Sequence, residues 1–328
     1  MFPAWNETLY KNGVYRLEDL VKIMLASGKS GLDLAFYTLL PVLVIMMAVM
    51  KVIEARGILA LVARTVQPLL RLFGIPGAGA FAIVQMLLVS FAAPLATLTI
   101  MEKDGTSKRQ IAATLAMILT LSQANVVFPM VAVGLNLGVI MLTSIVGGLA
   151  AAASTYYLFA RSVDDAGHTE AAFEPAPAQV HKTTTLNLMI VGGQEAVRVI
   201  LDTIPMLILA IFLVNILKTT GAIVMLEALL TPLFRLIDFP VVAVLPLATK
   251  YLAGGTAMMG VTVDLLKEGA ITVRELNRMA GFMTNPCDLV GVAVLISAGR
   301  RCASVVRPAV AGVVVGILIR GIMHLLYF

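Results

Sequence analysis

The sequence predicts an all-α polytopic membrane protein built from two repeats of inverted topology, and three observations support this prediction. Hydrophobic residues make up 59% of the 328 residues and charged residues only 13%, whereas a soluble domain carries about 25% charged residues. Several apolar runs approach the roughly 20 residues that a membrane-spanning helix needs, and none alternates as a barrel strand would. The third observation is an internal repeat.

The repeat becomes visible when the second half is aligned with the first at a shift of 164 residues. Three prolines then coincide, although the chain contains only 14. Chance rarely aligns so scarce a residue three times in one register, so a repeated unit is predicted. The aligned pairs are Pro41 with Pro205, Pro68 with Pro232, and Pro76 with Pro240.

A polar stretch rich in alanine and proline separates the two halves and is typical of a solvated linker. The predicted domains are an N-terminal amphipathic segment (1–31), a first membrane repeat (32–160), the polar linker (161–195) and a second membrane repeat (196–328). The segment from Met1 to Lys29 mixes acidic and basic side chains, so no cleaved signal is expected.

Each repeat is predicted to begin with the same two elements. The first is a spanning helix, at 33–54 and 199–217. A shorter amphipathic helix follows at 57–73 and 221–237. Its charges recur at helical spacing among apolar residues, so we expect it to lie in the membrane interface.

The middle of each repeat is an apolar segment, 77–101 or 241–266, that small residues and proline interrupt. Interrupted backbone inside a membrane favours a re-entrant helical hairpin that lines a cavity; a single kinked span is the alternative. Two further spans end each repeat, at 110–133 and 138–160 in the first and at 276–298 and 304–323 in the second.

Three crossings in each repeat would invert the second repeat relative to the first. The loop at 131–138 carries no charge, while Arg300, Arg301 and Arg307 flank its counterpart. Basic loops stay on the cytoplasmic side, so we expect the two loops on opposite faces of a bacterial-type inner membrane. This orientation puts both termini outside the cytoplasm. Basic residues favour the cytoplasmic side, so the basic residues of the N-terminal segment are against it, and the reversed orientation is the alternative.

Polar side chains inside the predicted spans are the candidates for a solute or ion path, because an unpaired polar group in hydrocarbon is costly. They fall at equivalent places in the two repeats, near the middle of their segments, which predicts one shared site at the membrane midplane. The candidate substrate-binding residues are Gln85, Ser90, Ser122, Gln123, Asn125, Lys250, Thr256, Asn285 and Asp288.

Lys250 and Asp288 are the only opposite charges that we predict deep in the membrane, and we expect them to pair. In one interpretation the pair neutralises itself and fixes helix packing. In the other, Asp288 binds a coupling cation or a proton, while Lys250 attracts an anionic group or takes the place of a cation. For Asn125 and Asn285, hydrogen bonding between helices is the alternative to solute contact. The 18 methionines are interpreted as lipid-facing and core residues.

Two stretches resemble the Gate, or nucleoside recognition, family of membrane proteins, which is related to the concentrative nucleoside transporters and to the membrane core of ferrous-iron transporters. Residues 90–110, SFAAPLATLTIMEKDGTSKRQ, resemble the first re-entrant hairpin of the nucleoside transporters. Residues 254–260, GGTAMMG, with 284–286, TNP, are similar to the second hairpin and the broken helix after it. The resemblance implies a transporter fold. Ala92 and Ala93 stand where those transporters carry a glutamate that holds the ribose.

The function predicted from the sequence is secondary-type transport, or facilitated passage, of a small polar solute, with a nucleoside-like molecule or an ion as candidates. A non-transporting membrane scaffold that binds a partner protein is the alternative. The expected partners are the lipid bilayer, the solute and, in a homo-oligomer, further copies of the chain.

No enzyme activity, nucleic-acid binding, metal site or cofactor is predicted, apart from a coupling Na⁺ or H⁺. The basic residues sit singly at the ends of apolar runs, where they orient helices. The three histidines and two cysteines lack metal-ligand spacing, and no glycine-rich stretch carries the lysine of a nucleotide-binding loop.

Overall fold

The computed structural model describes residues 17–90, 93–163, 184–236 and 239–328, and the described residues form helices without any β-strand. This confirms the predicted all-α fold class. The helices are α1 Leu17–Leu34, α2 Leu40–Ala55, α3 Ile58–Arg71, α4 Gly77–Leu88, α5 Pro94–Lys103, α6 Lys108–Thr120, α7 Ala124–Val131, α8 Leu137–Ser154, α9 Thr185–Thr219, α10 Ala222–Leu236, α11 Val244–Lys267, α12 Val273–Met283, α13 Leu289–Ile296, α14 Arg300–Ser304 and α15 Val306–Tyr327.

Two long helices cross the molecule side by side. A π-helical turn at Ala35–Leu39 joins α1 to α2, so that one apolar helix of 37 residues runs from Asp19 to Ala55. Its partner α9 has 35 residues. At 1.5 Å per residue each is over about 50 Å long, more than the roughly 30 Å hydrocarbon core requires. Both begin well before the predicted starts at 33 and 199, because the helix continues through polar residues that the apolar pattern does not include.

Close backbone contact holds these two helices together. A Cβ added at Gly192 of α9 would lie 2.5 Å from the carbonyl oxygen of Met47. Because side chains at this crossing would separate the helices, glycine is required here for the packing.

The amphipathic helices α3 and α10 follow the two long helices, close to the predicted bounds. Gly57 and Gly221 precede them with φ of +70° and +74°, a left-handed conformation that glycine adopts without a steric cost. Each of these turns therefore allows the chain to change direction sharply before the amphipathic helix begins.

The interrupted segments form pairs of short helices, and their re-entrant placement in a membrane stays a prediction. In the first repeat α4 and α5 have 12 and 10 residues, too few to cross a bilayer singly. They pack on each other, and the Thr97 hydroxyl donates to Gln85 Oε1 at 2.8 Å. In the second repeat Gly254, with φ of +87°, divides α11 into two arms.

The helices after the hairpins are also divided. Residues 121–123 separate α6 from α7, and residues 284–288 separate α12 from α13. Of the 18-residue apolar stretch within Lys108–Val131, 89% of the residues are buried, against 44% or less in the other apolar helices long enough to cross a membrane. It therefore forms the centre of the described structure.

Five described segments are long and apolar enough to span a membrane: Asp19–Ala55, Lys108–Val131, Leu137–Phe159, Thr185–Thr219 and Val306–Tyr327. The sixth predicted crossing, 276–298, consists instead of α12 and α13 with five non-helical residues between them.

The order of elements recurs in the two halves at close to the predicted spacing. The inverted orientation of the repeats stays a prediction.

Candidate functional site

The two divided helices meet at their breaks, in the interior of the structure. The backbone N–H of Gln123 donates to the carbonyl of Thr284 at 3.0 Å. The Gln123 side-chain amide donates to the carbonyl of Asn285 at 3.0 Å, and the hydroxyls of Ser122 and Thr284 lie 3.0 Å apart. Backbone groups freed by each break are thus satisfied by the other break, as buried polar groups require.

Asn285 stabilises its own break. Its amide donates to the Phe282 carbonyl at 2.8 Å, and its Oδ1 accepts from the Cys287 N–H at 3.0 Å. Pro286 cannot donate a backbone hydrogen bond, which helps to end α12. The side chain of Asn285 therefore acts as a local support for the unwound segment.

An ion pair joins the second break to the second hairpin, as the sequence predicts. The Lys250 ammonium contacts the Asp288 carboxylate, and their side chains are only 0% and 3% exposed. Asp288 also caps α13, because its Oδ1 accepts from the Gly291 N–H at 2.7 Å. The tip of the hairpin lies alongside: a Cβ added at Gly255 would be 3.0 Å from the Gln123 amide.

A cavity of about 110 Å³ lies between the hairpin tips, the first break and the two long helices. Its polar lining comes from Ser90, Asn125, Thr203 and Thr256. Asn125 Oδ1 is buried and has no hydrogen-bond partner among the described residues. The apolar wall consists of Leu43, Met46, Met47, Met50, Leu88, Val89, Ala124, Phe128 and Val199.

The predicted site residues divide into three groups. Ser90, Asn125 and Thr256 line the cavity. Gln85 lies inside the first hairpin, where it accepts from Thr97, and does not line the cavity. The others, Ser122, Gln123, Lys250, Asn285 and Asp288, form the polar network between the two breaks and the second hairpin.

Arg320 is a buried charge that the sequence reasoning missed. It lies on α15 with 0% exposure, and its guanidinium donates to the hydroxyls of Ser122 and Thr284 at 2.6 and 2.7 Å and to the carbonyl of Thr120. Only Lys250 and Asp288 were predicted as charges deep in the interior, and Arg320 is a third buried charge beside this pair. An arginine in the interior of a 22-residue apolar helix was the available signal.

Thr203 and the methionines of the cavity wall were missed as well. Thr203 lies on α9, and Met46, Met47 and Met50 lie on α2 at helical spacing. These three methionines were interpreted as core or lipid-facing residues. Only the pairing of α2 with α9 and the hairpins places them around one space.

No group of three or more His, Cys, Asp or Glu side chains within the described part of the chain could hold a metal ion. Both cysteines are free thiols. The polar groups at the breaks are hydroxyls, amides, carbonyls and the three buried charges, which suit binding through hydrogen bonds and electrostatic attraction.

Residues 36–141 match the family model described as Gate, nucleoside recognition. Over 87 residues, 26% of this chain, the sequence is 31% identical to Spore maturation protein B of Bacillus subtilis (strain 168). The chain spans about half the length of that relative, 48%. The family resemblance predicted from the sequence is thereby confirmed.

The fold is similar to that of CNTnw, a concentrative nucleoside transporter. A doubly substituted form in an outward-facing state matches with a TM-score of 0.66 and 17% identity, over 99% of this chain and 86% of that chain. An inward-facing, substrate-bound state of CNTnw gives 0.65 and 17%, over 97% and 88%. The likeness at this identity concerns the fold, which is that of a multi-pass membrane protein. The structurally similar protein is a transporter and not an enzyme.

Proposed function

We propose that this chain is a secondary-type transporter or facilitator of a small polar solute, which binds in the cavity near the membrane midplane. The observation that carries the proposal is the cavity lined by Ser90, Asn125, Thr203 and Thr256, where hairpin tips and a broken helix meet. Transporters with discontinuous helices bind their solutes at such a junction.

The chemistry of the lining supports a polar solute with hydrogen-bond donors. The unpartnered Oδ1 of Asn125 costs free energy until an N–H or O–H group reaches it. The hydroxyls of Ser90 and Thr256 can donate or accept as needed. The methionine wall can adapt to an apolar face of the solute. A volume of about 110 Å³ is smaller than the engineered cavity of about 150 Å³ that binds benzene, so the group held in this cavity is no larger than a single ring.

The position of the cavity supports alternating access. One wall belongs to the long helices α2 and α9, and the other to the hairpins and α7. Movement of the hairpins along the long helices would expose the cavity first to one side of the membrane and then to the other. CNTnw has been solved in outward-facing, intermediate and inward-facing states, which supports such a movement in this fold.

A nucleoside-like molecule is the leading solute, and an ion is the second. The support is the nucleoside recognition family model and the substrate-bound CNTnw structure. A nucleoside is larger than the cavity, so the cavity would hold at most one ring of it. We place the protein in a bacterial-type inner membrane, as the apolar helices and the three basic residues within 300–307 favour.

A non-transporting membrane module that binds a partner protein is the second candidate. The observation that favours it is the match to Spore maturation protein B. A scaffold needs no solute in its interior, and most polar groups at the breaks bond to one another. The open acceptor of Asn125 distinguishes the two candidates, since a scaffold gains nothing from it.

The test is a thermal-shift screen of the purified protein against nucleosides, nucleobases, amino acids, organic anions and metal ions. We expect one class to raise the Tm of the wild type with saturation, because a ligand that binds only the folded state stabilises it. The shift should disappear in Asn125→Ala and persist in Thr65→Ala, a hydroxyl on the exposed face of α3. No shift from any class would favour the partner-binding module.

A further inference from the structure

Arg320 occupies the point where the two helix breaks converge. Its guanidinium touches residues of both repeats: the Thr120 carbonyl and Ser122 hydroxyl of the first, and the Thr284 hydroxyl of the second. Close packing of α15 against α8 makes this reach possible, since a Cβ at Gly147 would lie 2.7 Å from the carbonyl oxygen of Gly316. The side chain is thus enclosed on all sides.

No carboxylate among the described residues forms an ion pair with Arg320. Asp288, the carboxylate of the network at the breaks, is engaged by Lys250 and by the cap of α13. Lys250 and Asp288 neutralise each other, so the guanidinium adds one positive charge to the buried network. Burial of a charge without compensation is strongly unfavourable in a membrane protein.

The compensation comes from two helix ends. α6 ends at Thr120, and Thr284 is the C-terminal cap of α12. The C-terminus of a helix carries roughly half a negative charge, from carbonyls that have no partner within the helix. Both ends therefore present partial negative charge to the guanidinium, which reaches the first end through the Thr120 carbonyl and the second through the Thr284 hydroxyl.

In membrane carriers with discontinuous helices, unwound carbonyls and the C-terminal ends of half-helices hold the coupling cation. We propose that Arg320 is a resident cation at such a position, and that this chain binds no mobile monovalent cation there. The inference rests on the proposed transport function and adds to it that binding of the solute does not require Na⁺, K⁺ or Li⁺ at the breaks. Removal of the guanidinium leaves a site for a small cation.

The experiment follows thermal unfolding of purified protein by circular dichroism, in NaCl, KCl, LiCl or guanidinium chloride up to 100 mM. Ionic strength is held constant with N-methyl-D-glucamine chloride. The wild type should melt at the same temperature, within about 1 °C, in every salt. So should Arg307→Ala, a matched control that removes an exposed arginine from the same helix.

Arg320→Ala should melt lower in N-methyl-D-glucamine chloride and regain stability, with saturation, in one of the small cations or in guanidinium. A cation at about ten times its Kd would shift the folding equilibrium of the variant about 11-fold. Saturable stabilisation of the wild type by Na⁺, K⁺ or Li⁺ would overturn the proposal. So would an Arg320→Ala variant that is as stable as the wild type and indifferent to every salt.

If Arg320→Ala yields no folded protein, the wild type and Arg320→Lys decide the question. Arg320→Lys keeps the charge. If the melting temperatures of the wild type and of Arg320→Lys are independent of the cation, the proposal is supported. A saturable effect of a cation on either protein contradicts it. None of these measurements uses a solute. Failure of the solute screen therefore leaves this result unchanged.

Discussion

The buried pair of Lys250 and Asp288 allows a sharp test of the electrostatics at the breaks. Asp288→Asn keeps a side chain of the same shape, and asparagine can still cap α13 at Gly291. The substitution removes only the charge opposite Lys250. Because both side chains are almost completely buried, at 0% and 3% exposure, the lysine would be left unpaired in the interior, at a cost of about 3–5 kcal/mol.

The matched comparison is a double-mutant cycle. Lys250→Met alone leaves an unpaired buried carboxylate and should cost a similar amount, whereas Lys250→Met with Asp288→Asn removes both charges. We expect the double variant to be at least about 2 kcal/mol more stable than the sum of the two single costs predicts, as for residues in direct contact.

The assay is unfolding in mixed micelles of a mild detergent and SDS, followed by far-UV circular dichroism. It gives a free energy of unfolding for each of the four proteins. Additive costs within about 0.5 kcal/mol, or a cost below about 1 kcal/mol for Asp288→Asn, would refute the buried pairing.

Three further predictions concern the cavity, the helix crossing and a thiol. Asn125→Ala should abolish the stabilisation by solute in a thermal-shift assay. It should change the free energy of unfolding by less than about 1 kcal/mol, because the lost Oδ1 has no partner. Loss of folding would contradict this. Gly192→Val should cost about 1–3 kcal/mol by forcing the long helices apart. Gly193→Val is the control, since its Cβ would meet its nearest neighbour at an ordinary 3.5 Å, and equal costs would be inconsistent with the crossing. Burial, and then the neighbouring Glu102, raises the pKa of the Cys302 thiol to about 12, so maleimide should modify this thiol very slowly at pH 8 and faster as the pH rises. In Glu102→Gln the pKa of the thiol should fall and its rate of modification at pH 8 should increase. An unchanged rate would argue against the contribution of Glu102.

Much of the fold was predictable because a helix that spans a membrane needs about 20 mostly apolar residues, and such runs are visible in the sequence. The apolar runs, the repeat of prolines and the interruption of 77–101 by Pro94 and its neighbours each correspond to a described element. The starts of α1 and α9 were not predictable in this way, because a helix that leaves the hydrocarbon core continues through polar residues. Their extent depends on packing between the two helices, as at Gly192.

The site was predictable in its parts and not in its arrangement. Polar residues inside spans identified Ser90, Asn125 and Thr256, which share one cavity, and also Gln85, which does not line it. Hydrophobic periodicity contains no information about which face of a hairpin arm meets its partner arm. That information comes from tertiary packing.

Arg320 illustrates the limit most clearly. Apart from His324, its neighbours in the sequence are apolar. The carbonyl and the two hydroxyls that accept from it lie roughly 36 to 200 residues away, and its Nε has no partner among the described residues. A buried arginine is stable only where several acceptors converge. Convergence is a property of the folded helices, so the sequence reveals the charge and not its partners.

The most direct measurement of the central claim is solute uptake by proteoliposomes that contain the purified protein. Vesicles are loaded with an unlabelled solute that stabilises the protein and are then diluted into the radiolabelled solute. We predict accumulation above that of protein-free vesicles, and its loss in Thr256→Phe, where a ring fills the cavity. Equal accumulation with and without the protein, for every solute that binds, would contradict transport and favour the partner-binding module.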